Sequence, residues 1–257
     1  MTGDATVAAR ALACLDLTNL EADCDTAAIE VLCRRAVTPH GAVAAVCVWP
    51  VFVAQAKAAL AGTPVRVATV VNFPAGEGTI AAVEAETRAA LADGADEIEL
   101  VVPWRALAAG RPETVTAMVA AIREVCGPAT LKTILETGEL GEPGLIRAAA
   151  EAALAGGTDF LKTSTGKVKV NATPDAARIL LEAIRASGRD VGLKPAGGVR
   201  STADAGVYLG LCDTVMGPGW ATPARFRIGA SSVLAALLAT LDGAEAAPAG
   251  PAAPGGY

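Results

Sequence analysis

The chain of 257 residues has a single histidine, His40, and its aromatic residues amount to only 4%. One histidine excludes a metal site built from several, and a Ser-His-Asp triad could form only around His40. No window holds the roughly 18 consecutive apolar residues that a membrane-spanning helix requires. The six cysteines include no CxxC spacing, which favours reduced thiols. We therefore expect a soluble, cytoplasmic protein without a membrane partner.

Positive charge is also scarce. Lysine and arginine together number 21 against 27 acidic residues, and the net charge of −6 argues against a nucleic-acid partner. Only six of the 21 cationic residues are lysines. Hydrophobic residues reach 53%, enough to bury a large core, so global disorder is excluded. The few lysines that stand in apolar surroundings therefore raise a chemical question.

Short apolar runs alternate with longer amphipathic stretches, which is typical of repeated βα units. Strands are predicted at 11–17, 42–49, 65–73, 97–103, 129–137, 159–166, 191–198 and 213–219. Eight such units in residues 1–241 predict a single (β/α)8 barrel, with a doubly wound open sheet as the alternative. Residues 242–257, rich in alanine, glycine and proline, predict a flexible tail that ends on Tyr257.

Three successive predicted strands each carry a Leu-Lys pair, which gives Lys132, Lys162 and Lys194 the same register. Strand side chains alternate, so the lysines point into the barrel if the leucines point towards the helices. Lys162, on the middle strand, would then have a cation on each side. Burial and like charge both lower the pKa of an amine, and a neutral amine is what a Schiff base requires. The alternative is three lysines held in structural ion pairs.

Two carboxylates are predicted to face these lysines. Asp16 lies between two leucines on the first strand, and Glu99 lies between two apolar residues on the fourth. Both should therefore point inward, Glu99 beside Lys132. They could neutralise part of the lysine charge and hold protons for transfer, or serve only as structural counter-ions.

Three segments rich in glycine and serine, at 164–167, 197–200 and 229–232, follow the last three predicted strands. Glycine permits close backbone approach, and a helix N-terminus offers free N–H groups to a phosphate. Barrel enzymes often bind phosphate in the loops after strands seven and eight. With Lys167 and Arg200 nearby, these segments predict a phosphate site.

Seven segments of the chain resemble the 2-deoxyribose-5-phosphate aldolase family. They are LDLTNL at 15–20, NFPAG at 72–76, DEIELVVPWRAL at 96–107, LKTILETGEL at 131–140, FLKTSTGKVKVNATPDAARI at 160–179, GLKPAGGVRSTADA at 192–205 and RIGASS at 227–232. The most specific are KTSTGK and KPAGGVR, whose first lysines are 32 residues apart. The resemblance extends to the terminal Tyr257.

The resemblance implies a metal-independent class I aldolase on a (β/α)8 barrel, with no cofactor. Such an enzyme reversibly cleaves 2-deoxy-D-ribose 5-phosphate to acetaldehyde and D-glyceraldehyde 3-phosphate in deoxyribonucleoside catabolism. Its partners would be small phosphosugars and aldehydes, and we expect a monomer or homodimer.

The resemblance also implies a role for individual residues. Lys162 would form the Schiff base, Lys194 would lower its pKa, and Glu99, Lys194 and Tyr257 would transfer protons. The substrate pocket would be lined by Asp16, Thr18, Leu20, Cys47, Lys132 and Thr165. The phosphate would be held by Gly166, Lys167, Gly197, Gly198, Val199, Arg200, Gly229, Ser231 and Ser232.

One position departs from the family pattern. Glu99 stands where the family usually has an aspartate, which places the carboxylate one methylene further out. Trp104 is expected to make the mouth of the barrel bulkier. Two alternatives follow: a Schiff-base aldolase of altered aldehyde specificity, or a non-catalytic phosphosugar-binding barrel.

Overall fold

The computed structural model describes residues 3–243. Nearly all of the predicted tail, with Tyr257, lies outside the described residues. Within residues 3–243, no helix combines the length and the apolar character needed to cross a membrane.

The elements alternate along the chain as the βα pattern predicts. The strands are β1 (Leu15–Asn19), β2 (Val37–Thr38), β3 (Gly41–Ala42), β4 (Ala45–Val48), β5 (Arg66–Val71), β6 (Glu97–Val101), β7 (Thr130–Ile134), β8 (Phe160–Lys162), β9 (Gly192–Lys194) and β10 (Ile228–Ala230). The helices are α1 (Gly3–Ala13), α2 (Thr26–Arg35), α3 (Val53–Ala59), α4 (Ile80–Ala92), α5 (Trp104–Ala108), α6 (Glu113–Cys126), α7 (Thr137–Leu140), α8 (Pro143–Ala155), α9 (Pro174–Ser187), α10 (Thr202–Met216) and α11 (Val233–Leu241).

Eight of the strands form one parallel sheet in the order β10-β1-β4-β5-β6-β7-β8-β9. Parallel bridges from Leu193 to Phe226 and from Ala196 to Gly229 join the β9 and β10 segments, which are the two ends of this order. The sheet is thereby closed, which confirms the (β/α)8 barrel and excludes the open doubly wound sheet. The short β2 and β3 form a separate antiparallel hairpin.

The predicted eighth strand at 213–219 is wrong. Those residues form the end of α10 and the turn after it, and the eighth barrel strand is β10, at Ile228–Ala230. The helix begins with a reciprocal capping box between Ser201 and Asp204, so its apolar final turn continues a helix rather than starting a strand. The first predicted strand also begins too early, because residues 11–13 complete the alanine-rich α1.

The two faces of the barrel strands differ in character. Leu131, Leu161 and Leu193 belong to the large core that also contains the buried faces of the helices. Lys132, Lys162 and Lys194, one position further along each strand, are almost completely buried and point to the opposite face. The prediction that the lysines point inward is therefore confirmed, and the barrel interior contains buried charged side chains.

Candidate active site

The three lysines do not lie at one level. Lys162 on β8 is the register partner of Lys194 on β9, whereas Lys132 on β7 is paired with Phe160. Strands of a closed barrel are staggered, so equivalent sequence positions drift along the barrel axis. The prediction of a cation on each side of Lys162 is therefore corrected. Lys194 is beside Lys162 on the adjacent strand, whereas Lys132 lies one inward-facing position lower, at the level of Phe160.

Glu99 on β6 joins all three lysines. Its Oε2 lies 2.7 Å from Nζ of Lys162, and its Oε1 lies 2.5 Å from Nζ of Lys194 and 3.2 Å from Nζ of Lys132. The carboxylate has no exposed surface. The predicted neighbourhood of Glu99 and Lys132 is present, and the longer glutamate side chain also reaches both of the other amines.

Asp16 on β1 forms the second junction. Its Oδ2 lies 2.6 Å from Nζ of Lys132 and 2.7 Å from Nζ of Lys194, and its Oδ1 accepts from Arg227 at 2.7 Å. Glu97 pairs with Lys132 at 2.6 Å and with Arg227 at 2.8 Å. The sequence reading missed Glu97 and Arg227. Glu97 could have been found, because it is two residues before Glu99 and therefore on the same face of the strand.

The charges of this cluster divide the lysines into two kinds. Burial lowers the pKa of Lys162, and the neighbouring charge of Lys194 lowers it further, against the opposing effect of Glu99. Burial also opposes the charged form of Lys194, but Asp16 and Glu99 outweigh it and raise that pKa. The pKa of Lys132 is raised in the same way, because Asp16 and Glu97 outweigh its burial. Lys162 is therefore the amine most readily available in its neutral, nucleophilic form.

Glu99 responds in the opposite sense. Burial alone would raise the pKa of its carboxyl, but the charges of Lys162, Lys194 and Lys132 outweigh burial and hold that pKa well below its usual value. Glu99 is therefore an anion in the free site. A carboxylate already held against the amine is placed to accept protons directly or through water.

An apolar patch borders the lysines inside the barrel. Its buried members are Leu20, Cys47, Ala68 and Val70, with the half-buried rings of Trp49 and Phe73 packed against them. The two rings meet edge to face, with centroids 5.5 Å apart. Burial raises the pKa of the Cys47 thiol to about 12, so this residue contributes apolar surface rather than a thiolate. Thr18 is buried nearby, and its hydroxyl donates to the Asp16 carbonyl at 2.9 Å.

The segment after β8 is fixed by a buried carboxylate that the sequence reading missed. Glu136 has a left-handed backbone, with φ of 55°, and its Oε2 accepts from the Thr165 hydroxyl at 2.6 Å. Thr165 also donates its N–H to the same carboxylate at 3.1 Å. Gly166 follows with φ of 83°, and Lys167 extends to Glu21, with 3.4 Å between Nζ and Oε2. This turn carries the predicted residues Thr165, Gly166 and Lys167 together.

The other residues predicted to bind phosphate lie in the segment after β9 and at the start of α11. Gly197 and Gly198 both have positive φ, and a Cβ on Gly197 would lie 2.7 Å from the Asn171 side chain. Val199 is buried, whereas Arg200 is exposed. Ser231 and Ser232 immediately precede α11, where Ser232 is the N-cap residue and its side chain makes no capping hydrogen bond. Ser231 and Ser232 thus lie at the N-terminus of α11, where the first N–H groups have no partner within the helix.

Gly229 has a different position from the other predicted phosphate residues. It lies within β10, opposite Asp16, and its N–H donates to the Pro195 carbonyl. A Cβ on Gly229 would lie 2.9 Å from Cε of Lys194 and 2.9 Å from Cβ of Ala196. The absent side chain makes room for Lys194 inside the barrel.

Substituting alanine at Gly229 is therefore expected to displace Lys194 and to lower the melting temperature, at a cost of about 1–3 kcal/mol for overpacking. Any activity that depends on the Lys194 amine should fall as well. Gly210→Ala is the matched control, because a Cβ at this α10 position meets nothing within 4 Å. The assignment to packing is wrong if Gly229→Ala matches Gly210→Ala in both thermal melting and turnover.

Trp104 begins α5 and packs against the core between strands and helices, with the Arg105 guanidinium 4.0 Å from its ring centre. It does not belong to the apolar patch around Cys47. The expectation that Trp104 makes the barrel mouth bulkier stays a prediction.

A (β/α)8 barrel that holds a buried lysine of lowered pKa beside a lysine of raised pKa has the arrangement of the Schiff-base aldolase class. The family model for DeoC/LacD family aldolases matches residues 3–208, and the chain belongs to this family. The resemblance found in the sequence is thereby confirmed.

Individual relatives agree with this assignment. The chain is 55% identical over 244 residues to the deoxyribose-phosphate aldolase of Agrobacterium fabrum strain C58, covering 94% of each chain. An apo-form structure from Toxoplasma gondii ME49, provisionally named a deoxyribose-phosphate aldolase, has a TM-score of 0.86 at 29% identity, covering 95% of this chain and 99% of that one. The deoxyribose phosphate aldolase of Aeropyrum pernix, described as tetrameric, shares the fold with a TM-score of 0.76 at 24% identity over 93% of each chain.

Proposed function

We propose that this protein is a class I aldolase that reversibly cleaves 2-deoxy-D-ribose 5-phosphate to acetaldehyde and D-glyceraldehyde 3-phosphate. The observation that carries the proposal is the buried Lys162 amine, held 2.7 Å from Glu99 and directly opposite Lys194. The 55% identity to the Agrobacterium enzyme over nearly the whole chain supports the same substrate.

The chemistry follows from the positions of these groups. The neutral Lys162 amine attacks the C1 aldehyde of the open-chain sugar, and loss of water gives an iminium ion. Glu99, directly or through a water, takes the proton of the C3 hydroxyl as the C2–C3 bond breaks. The electron pair of that bond moves into the iminium, which leaves an enamine on Lys162 and releases D-glyceraldehyde 3-phosphate. Protonation at C2 and hydrolysis then release acetaldehyde and restore the amine.

Lys194 and the apolar patch support this sequence of steps. Lys194 stays charged, so it favours the neutral form of Lys162 and can return protons through Glu99. The side chains of Leu20 and Val70 offer no hydrogen-bonding partner to a sugar hydroxyl, and the Cys47 thiol offers only a weak one. A methylene at C2 suits this wall better than a hydroxylated carbon, whose hydroxyl would be buried without a partner.

The phosphate of the substrate is proposed to bind the turns after β8 and β9 and the start of α11. Lys167 and Arg200 supply charge, and the turns at Gly166 and at Gly197–Gly198, with Ser231 and Ser232 at the start of α11, supply backbone and hydroxyl donors. Tyr257 lies outside the described residues, and its assistance in proton transfer at acetaldehyde C2 stays a proposal from the family resemblance.

The proposed function predicts a covalent adduct on Lys162. Incubation with acetaldehyde and cyanoborohydride should reduce the imine to an ethylamine and add one ethyl group per chain, a gain of about 28 Da. Peptide mass spectrometry should place this group on Lys162. Lys57 and Lys169, which lie outside the barrel interior, serve as internal controls for non-specific alkylation. A protein that releases acetaldehyde from the phosphosugar while Lys162 stays unmodified would contradict the mechanism.

The alternative of an altered specificity has one observation in its favour, the glutamate at position 99. Comparing turnover of 2-deoxyribose 5-phosphate with that of 2-deoxyribose separates the two readings. We expect a large preference for the phosphorylated sugar. Equal rates would show that the segments proposed to bind phosphate do not contribute to turnover. A non-catalytic barrel would be stabilised thermally by the phosphosugar without releasing acetaldehyde.

We also propose that the protein acts in the cytoplasm as a monomer or homodimer. All six cysteines are free, and five of them are buried, which suits a reducing compartment. Light scattering coupled to size-exclusion chromatography tests the oligomeric state, and a tetramer would contradict this part of the proposal.

A further inference from the structure

Beneath the lysine that reacts, a second layer of charged side chains forms the floor of the barrel. Glu97 precedes Glu99 by two residues, and Arg227 precedes Gly229 by two residues, so both point inward one step lower. The Arg227 guanidinium makes a two-pronged pair with Glu97, at 2.8 Å from Nη2 to Oε1 and 3.1 Å from Nη1 to Oε2. Both side chains are almost completely buried.

This pair connects to the upper layer at two points. Nη1 of Arg227 also donates to Oδ1 of Asp16 at 2.7 Å, and Oε2 of Glu97 accepts from Lys132 at 2.6 Å. Asp16 in turn holds Lys194, and Lys132 holds Glu99. Lys194 and Glu99, which lie beside Lys162, are thus held by Asp16 and Lys132. Both of these residues in turn contact the Glu97–Arg227 pair.

A phenylalanine separates the pair from the mouth of the barrel. The Phe160 ring, two residues before Lys162 on β8, lies with its centre 5.6 Å from the Arg227 guanidinium carbon. Its space depends on Gly192, where a Cβ would lie 2.3 Å from the ring. Glu97 and Arg227 therefore act below the substrate rather than on it.

The charges of the two layers are unequal in number. Among the described residues, the cluster has three carboxylates, Asp16, Glu97 and Glu99, and four cations, Lys132, Lys162, Lys194 and Arg227. Loss of a proton from one lysine lowers this excess of positive charge, whereas arginine keeps its proton in proteins. Glu136, a further buried carboxylate that faces Lys162, lies outside this ion-paired set. Of the three lysines, only Lys162 has a lowered pKa, and within the cluster it contacts Glu99.

We propose that Glu97 and Arg227 are positioning residues for the aldolase reaction, which hold Asp16 and Lys132 in place and fix the net charge that Lys162 meets. The inference rests on the proposed Schiff-base function. The charged and titratable groups that face Lys162 from the surrounding elements are Asp16, Cys47, Glu99, Lys132, Glu136 and Lys194. None of them is altered by a substitution at position 97 or 227.

The test follows trapping of acetaldehyde on Lys162 by cyanoborohydride across a range of pH, with the adduct located by peptide mass spectrometry. Arg227→Met removes a cation, so Lys162 should keep its proton to higher pH and the trapping midpoint should rise. Glu97→Gln removes an anion, so the midpoint should fall. Each shift should be on the order of tenfold in proton concentration, because the charges are buried and poorly screened.

The double variant Glu97→Gln/Arg227→Met removes one charge of each sign and should return the midpoint to within about threefold of wild type in proton concentration. Arg227→Lys keeps the charge but loses the two-pronged geometry, so its midpoint should stay while turnover falls. A purely structural pair would lower trapping in all variants without opposite shifts of the midpoint, and that result would overturn the inference.

Two further outcomes are distinguishable. If wild type is not trapped on Lys162 at any pH, the proposed function fails, and the positioning role fails with it. If wild type is trapped but the profiles of Glu97→Gln and the double variant coincide, only the positioning role is overturned. That last comparison does not depend on whether the single variant Arg227→Met folds.

Discussion

Replacing Lys162 by methionine is expected to lower turnover of the phosphosugar by at least about 10³-fold and to abolish the acetaldehyde adduct, with little change in stability. Methionine keeps most of the volume and cannot form an imine. Glu99 loses one partner but keeps Lys194 and Lys132. The amine removed is the one whose pKa is lowered, unlike that of Lys194, so we expect the free energy of unfolding to change by no more than about 1 kcal/mol.

Lys194→Met is the matched control on the neighbouring strand. It removes a fully charged amine and leaves both Asp16 and Glu99 with one partner fewer. Breaking a buried pair in this way typically costs about 3–5 kcal/mol. Acetaldehyde trapping on Lys162 should persist in this variant at higher pH. Urea unfolding and trapping together check the prediction, and equal destabilisation by the two substitutions would contradict the division of the lysines into one reactive and one charged amine.

Much of the fold could be predicted because the barrel strands are short apolar runs with period-two alternation. The eighth strand escaped detection, since the three residues of β10 include a glycine and an alanine, whereas the end of α10 carries a more apolar run. Local pattern favours the wrong segment there. The correct strand is selected by closure, because only β10 can pair with both β1 and the residues after β9.

The site likewise contains residues that the sequence could predict and residues that it could not. Alternation places Lys132, Lys162 and Lys194 on the inner face without any further information. It does not give the stagger between strands, so it could not show that Lys132 lies one step below Lys162. Arg227 could not be found either, because it precedes a strand whose position was unknown. Glu136 lies in a loop, where a left-handed backbone carries no signal in the residue type.

Replacing Glu99 by glutamine is expected to separate imine formation from carbon–carbon cleavage. The amide keeps the shape of the side chain but removes the charge that favours protonated Lys162, so the pKa of Lys162 should fall further and trapping with acetaldehyde should continue at lower pH. Glutamine cannot accept the C3 hydroxyl proton as a carboxylate does. We therefore expect turnover to fall by about 10²–10⁴-fold, the usual contribution of a general base.

Glu99→Asp provides the control that keeps the charge. A shorter side chain withdraws the carboxylate by about one carbon–carbon bond, roughly 1.5 Å, and it can no longer contact three amines at the distances that Glu99 spans. We expect turnover between that of wild type and Glu99→Gln, measured by coupled assay for acetaldehyde. A gain in turnover would show that the extra methylene is a handicap. Wild-type turnover in Glu99→Gln would instead remove Glu99 from the proton transfer, because a neutral amide would then suffice where the mechanism requires a base.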